Sequence, residues 1–299
     1  MMRLHITPLL VGSSLLSGCV IGNDRYQRPR DLPDSAVVDR PRILAIQAEP
    51  PEVAPGETVE FAALIGDPDG VLDLTVWLAC DSGGGFGCEV DLSGLDEATP
   101  EELEAAGVIG VEPFFSPVLD VPGDALDTLT DEQKLEGLSW TIQVAAFPNS
   151  EESGQEIDFN QVEVAYKRLV VSEATTPNLN PSLRQWRVDG TPVPEDAVVT
   201  VDMGQEYELS VEVPAESVEQ YIYVNSEGVA EERVEEPYLT WYANTGGFLS
   251  NLTVPLNGYD APLSADWTAP DEPGEGTWFV VIRDRRGGQA WMTQRYRVQ

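Results

Sequence analysis

The skeleton Trp-x-Ala followed by Gly-Gly-Phe occurs twice in this chain. Trp77-Leu78-Ala79-Cys80 runs on to Gly84-Gly85-Phe86, and Trp241-Tyr242-Ala243-Asn244 runs on to Gly246-Gly247-Phe248. Around it, Pro55-Gly56-Glu57 answers Met203-Gly204-Gln205, and Trp140-Thr141-Ile142 answers Trp278-Phe279-Val280. Such self-similarity points to a duplicated unit, so whatever one half folds into, the other should repeat.

Each unit reads as short strands between turns. In the first, Val59 and Phe61 share one face of a strand over residues 58–65. Leu72, Leu74, Val76 and Leu78 then alternate, with Trp77 on the opposite face. Strands over 140–147 and 162–171 follow. In the second, Tyr207, Leu209, Val211 and Val213 alternate, and strands over 277–283 and 291–298 close through Asp284-Arg285-Arg286-Gly287-Gly288. Strands of this length and spacing predict β-sandwiches, with a mid-strand tryptophan plugging each core. Two capping boxes interrupt the pattern. Thr99-Pro100-Glu101-Glu102 and Thr130-Asp131-Glu132-Gln133 start short helices, which Gly107 and Gly137 stop. The expected fold is mainly β: two sandwiches in tandem, the first with a short helical insertion.

The N-terminus carries Arg3, an apolar run from Leu9 to Leu16, and then Ser17-Gly18-Cys19. These are the parts of an export signal, and the apolar run is too short to span a bilayer as a helix. Leu16-Ser17-Gly18-Cys19 resembles the bacterial lipoprotein signal. The resemblance implies cleavage before Cys19, acylation of its thiol, and anchorage by two or three acyl chains. Val20 follows the cysteine. By resemblance to the sorting rule of well-known bacterial lipoproteins, a non-acidic residue there implies the outer membrane.

The expected organisation is a signal peptide over 1–18, a lipidated N-terminus and tether over 19–40, a first domain over 41–172, a linker over 173–182, and a second domain over 183–299. Pro177-Asn178-Leu179-Asn180-Pro181 marks the boundary. Toward the C-terminus, Trp267-Thr268-Ala269-Pro270, Pro273-Gly274, Asp284 and Gly287-Gly288 resemble the end of immunoglobulin-like domains in bacterial surface proteins. Residues 41–299 as a whole resemble two such domains in a lipoprotein of the myxobacterial type. That resemblance implies fold and location and supplies no activity.

Chemistry is sparse by comparison. Fifty-two acidic and 17 basic residues give a formal charge of −35, a surface that repels nucleic acid and anionic headgroups. The one histidine, His5, lies inside the signal, so the mature chain has none to activate a serine or bind a metal. No catalytic residue is assigned. With Cys19 lipidated, Cys80 and Cys88 remain, an even pair that suggests a disulfide in an exported protein. Asp67, Asp69 and Asp73 are a weak calcium candidate, weighed against a plain Asp-Pro-Asp-Gly turn. Tyr221, Tyr223, Tyr238 and Tyr242 offer a binding face, weighed against core or cross-strand packing. Arg283, Arg285, Arg286, Arg295 and Arg297 would either dock on an acidic surface, of the first domain or a second copy, or neutralise local carboxylates. The leading expectation is a non-catalytic, membrane-anchored envelope lipoprotein without cofactor, acting as a binding or spacer module for another envelope protein or glycan. The rival is a protein that binds or hydrolyses extracellular polysaccharide.

Overall fold

The chain turns at Pro50-Pro51 and again at Pro192-Val193-Pro194, and at both places it leaves one sheet for another. Proline cannot donate to a ladder, so these prolines end one strand cleanly and free the chain to cross over. The computed structural model describes residues 35–80, 99–148, 162–224, 229–255, 259 and 261–299.

The first half contains β1 (Arg42–Glu49), β2 (Glu52–Val53), β3 (Thr58–Gly66), β4 (Leu72–Cys80), β5 (Val108–Glu112), β6 (Val118–Asp120), β7 (Leu138–Pro148) and β8 (Glu163–Val171). Helix α1 (Pro100–Ala105) precedes β5 and α2 (Asp131–Glu136) precedes β7. The second half contains β9 (Arg184–Val188), β10 (Thr191–Pro192), β11 (Val198–Val201), β12 (Glu206–Glu212), β13 (Gln220–Val224), β14 (Ala230–Val234) and β15 (Tyr238–Ala243). It ends with β16 (Gly247–Phe248), β17 (Leu252–Thr253), β18 (Leu263–Thr268), β19 (Gly274–Arg283) and β20 (Gln289–Val298).

The duplication is visible in the strand order. Sheet I runs β1-β3-β6 and sheet II runs β2-β8-β7-β4-β5. Sheet III runs β10-β9-β12-β18-β16 and sheet IV runs β11-β20-β19-β15-β17. Sheets II and IV correspond strand for strand, down to a parallel edge pair in each, β2 with β8 and β11 with β20. Trp77 on β4 and Trp241 on β15 occupy the same place in the two sheets, and both are fully buried. The two capping boxes form as read. Thr99 and Glu102 bond reciprocally at α1, as do Thr130 and Gln133 at α2.

Each pair of sheets encloses its own core. Ile46, Ala48, Val59 and Phe61 of sheet I meet Trp77, Ile142, Val144, Leu169 and Val171 of sheet II. Sheets III and IV close over Trp186, Leu209, Trp241, Trp267, Trp278 and Tyr296. A third core lies between the halves. Leu44, Ala45 and Leu64 on the outer face of sheet I pack with Val38 against Phe279 and Val281 on the outer face of sheet IV. A bulge at Leu44 turns two successive residues of β1 toward that interface. The layers therefore stack in the order II, I, IV, III, and residues 35–299 form one compact unit.

Polar contacts at the edge of this interface explain the Asp-x-x-Gly-Gly turn. Asp284 is 1% exposed. It accepts from the backbone N–H of Arg286 at 2.7 Å and of Gly287 and Gly288 at 2.9 Å, and from the Asn178 amide at 2.8 Å. Arg286 reaches Glu235 at 2.9 Å and Glu52 of the first half at 3.5 Å, and lies over the Tyr221 ring. Arg283 donates to the Leu44 carbonyl at 2.8 Å. Glu52 accepts from the Ser172 hydroxyl and the Asn178 N–H, and Asn180 donates to the Ala48 carbonyl. The segment between the halves is thus bonded on both sides. Burial holds the Glu235 carboxyl above the usual range.

Lys167 is buried here and donates to the Gly287 carbonyl. Burial lowers its pKa to about 8; Asp284 opposes the shift and Arg283 adds to it. Between pH 8 and the unfolded value the unfolded chain binds the extra proton, so stability rises with pH across that window. Relative to Lys167→Met, the native chain should gain roughly 2 kcal/mol between pH 7.5 and 9.5 in urea unfolding. A flat difference would mean that Lys167 keeps its ordinary pKa.

Candidate functional site

The register of the two halves lets each position be matched to its twin. Val59 pairs with Leu119 as Tyr207 pairs with Trp267. Trp140 pairs with Leu169 as Gly276 pairs with Tyr296. Trp278 therefore stands in the place of Ile142, and the sequence match of Trp140 with Trp278 is displaced by two residues along the strand. In the second half Trp278 is 0% exposed, with Tyr296 stacked at 4.5 Å and Trp267 edge-on at 5.0 Å. In the first half the twins of those two rings are Leu119 and Leu169. Trp140 is only half-buried and lines a cleft of about 900 Å³.

The cleft lies between β5 and β6, the edge strands of sheets II and I. At one end the edges pinch together. A Cβ on Gly110 would lie 2.4 Å from the Pro117 Cα, so glycine is required there. Beyond the pinch the edges part, and Leu103 of α1, Ile109, Phe115, Leu119, Leu138 and Trp140 supply the walls. Asp120, Asp124 and Thr128 are its polar groups, and among the described residues no Lys, Arg or His lines it. Asp120 accepts from the Thr58 hydroxyl at 2.7 Å. Phe114 beside the mouth is 79% exposed. Such a lining favours an apolar molecule and disfavours an anion.

The residues singled out from the sequence are scattered. Cys19 and Cys88 lie outside the described residues; Cys80 ends β4 and lines the cleft. Asp67 caps its turn by accepting from the Leu72 N–H at 2.8 Å, and Asp69 is exposed. Asp73 falls within β4, though its side chain is outside the described set. Among the described residues no group of three metal-ligating side chains is assembled. The tyrosines do not form one face: Tyr242 packs in the interface core, while Tyr221 lies under Arg286 and Tyr223 under Arg233. The arginines divide likewise. Arg283 and Arg286 reach the first half, and Arg297 pairs across the strands with Glu275. No helix among the described residues is long and apolar enough to cross a membrane.

No family model matches the chain, and no curated protein matches it. Among solved structures it is similar to dimeric latent PorU of Porphyromonas gingivalis, at 12% identity over 87% of this chain and 24% of that one, TM-score 0.25. It is similar to Drosophila N-cadherin EC1-4 at 14% identity, covering 87% of this chain and 50% of that one, TM-score 0.24. Murine CEACAM1b gives 12% identity over 84% of this chain and 95% of that one, TM-score 0.21. The chain thus spans about a quarter of PorU's length and half that of the cadherin fragment. At this level the likeness carries no functional argument.

Proposed function

We propose that the protein is a lipid-anchored envelope lipoprotein of two immunoglobulin-like sandwiches, acting as a non-catalytic binding module for another envelope component. The observation that supports a binding role is the exchange at one matched position beside Trp140. Trp267 is fully buried in the core of one repeat, and Leu119 at the matching place lines an open cleft in the other. A cleft beside a smaller residue in an otherwise repeated core is a site where packing density has been given up. Cys19 supplies the anchor in this reading, and a Cys80–Cys88 disulfide closes the loop that leaves β4 beside the cleft.

The test combines anchor and cleft. In membranes from cells making the wild-type chain, the protein should sediment with the envelope, and Cys19→Ser should release it. Photo-cross-linking in the same membranes should capture a component that Leu119→Trp, which installs the other repeat's residue, no longer captures. Sedimentation of Cys19→Ser would remove the anchor. Equal capture by Leu119→Trp would remove the cleft.

A further inference from the structure

Strands β13 and β14 form a two-stranded ribbon that joins none of the four sheets. Its root is fixed to the body. The Glu235 N–H donates to the Glu219 carbonyl at 2.9 Å, and Arg286 meets the Glu235 carboxylate. Five residue pairs follow without a bulge, from Gln220 with Val234 to Val224 with Ala230. A ribbon of two strands is marginal in water, and pairing with a third strand stabilises it.

The pairing at the root sets which backbone groups are free. Hydrogen-bonded and non-bonded pairs alternate along an antiparallel ladder. Glu219 and Glu235 are a bonded pair, so Gln220 with Val234 and Ile222 with Glu232 are non-bonded ones. The N–H and C=O groups of Glu232 and Val234 therefore point away from β13, and among the described residues no second strand meets them. The same alternation divides the faces. Tyr221 and Tyr223 share one, where Arg286 and Arg233 lie over their rings. Ile222, Glu232 and Val234 share the other. Ile222 and Val234 are diagonal neighbours there, 62% and 55% exposed. A free edge beside an uncovered apolar pair is suited to strand addition.

Charge selects the occupant. Residues 219–236 hold six glutamates and one arginine. Glu231 is paired with Arg233, and Glu219 and Glu235 with Arg286. Glu232, at the free edge, is exposed and has no cation among the described residues. A second copy would bring the same acidic edge on a chain of charge −35, so self-pairing is opposed. We propose that the free edge of β14 takes an extended segment of another protein as a third strand, with a basic residue between two apolar ones at alternate positions. Its backbone bonds to Glu232 and Val234. Its apolar side chains stand opposite Val234 and Ala230, and its lysine or arginine stands opposite Glu232. This surface is independent of the apolar cleft between β5 and β6 and stands whether or not that cleft has a partner.

The test uses two fluorescein-labelled peptides, Thr-Val-Thr-Lys-Thr-Val-Thr and the same with Glu for Lys. The pattern is palindromic, so it fits a parallel or an antiparallel third strand. Anisotropy is read as the full chain is titrated to millimolar concentrations. The Lys peptide should bind saturably, about tenfold more tightly than the Glu peptide. Glu232→Lys, a change at an exposed side chain, should reverse that preference. Val234→Pro removes an outward N–H while sparing the β13 ladder, and should weaken the Lys peptide about tenfold. Leu119→Trp, which fills the other cleft, should bind it as the wild type does. A Lys peptide that does not bind, equal binding of the two peptides, or an unreversed preference in Glu232→Lys overturns the proposal. Undiminished binding by Val234→Pro overturns it too, since the backbone edge is then not used.

Discussion

Alanine in place of Asp284 is expected to lower the unfolding free energy by about 3–5 kcal/mol, the loss typical of breaking a buried charged network. The size follows from what the carboxylate holds. Three backbone N–H groups and the Asn178 amide point at it from within 3 Å. Lys167, bonded to the Gly287 carbonyl of the same turn, is the nearby buried base that it favours in the charged form. Removal strands all of them in a place that water does not reach, and the turn that carries Arg286 to Glu52 loses its shape. Asp284→Asn keeps an acceptor oxygen and should lose less. Urea unfolding of the three chains at neutral pH checks this. A loss under about 1 kcal/mol for alanine, within the range of surface substitutions and weak exposed pairs, would mean that the turn is held from elsewhere.

Trp278→Ala should cost about as much, 3–5 kcal/mol, by leaving a cavity among rings that cannot collapse together. Trp278 touches Trp186 at 6.4 Å, Trp267 at 5.0 Å and Tyr296 at 4.5 Å between centroids. The tryptophan of β7 provides the control. Trp140 faces the cleft and is half-buried, so Trp140→Ala removes less burial and should cost clearly less than Trp278→Ala. Thermal unfolding of both variants decides it. Equal losses would mean that the space beside Trp140 is packed in solution, and the cleft would then be no binding site.

Much of this architecture could be read before the coordinates. Trp77 and Trp241 plug their cores as a mid-strand tryptophan should, and both capping boxes sit where threonine and Glu or Gln are spaced three apart. These signals are local, carried by residue types at fixed offsets. The stacking of sheet I on sheet IV was not legible in the same way. Trp278-Phe279-Val280-Val281-Ile282 shows no alternation, since both faces of β19 are covered, and a run without period does not say what covers it. The apolar cleft was written in the sequence only as a leucine. Its meaning depends on Trp267 standing at the matching position, and that match needs the register of four strands.

The face shared by sheets I and IV has a genetic consequence. Phe279, Val281, Tyr242 and Trp291 in one copy are kept dry by Leu44, Ala45 and Leu64 in the other. A duplicated segment begins life as two separable cassettes, free to be shuffled, lost or multiplied. Once each copy shelters the other's apolar face, deletion of either uncovers an adhesive surface on the survivor. The pair is then inherited as a single unit.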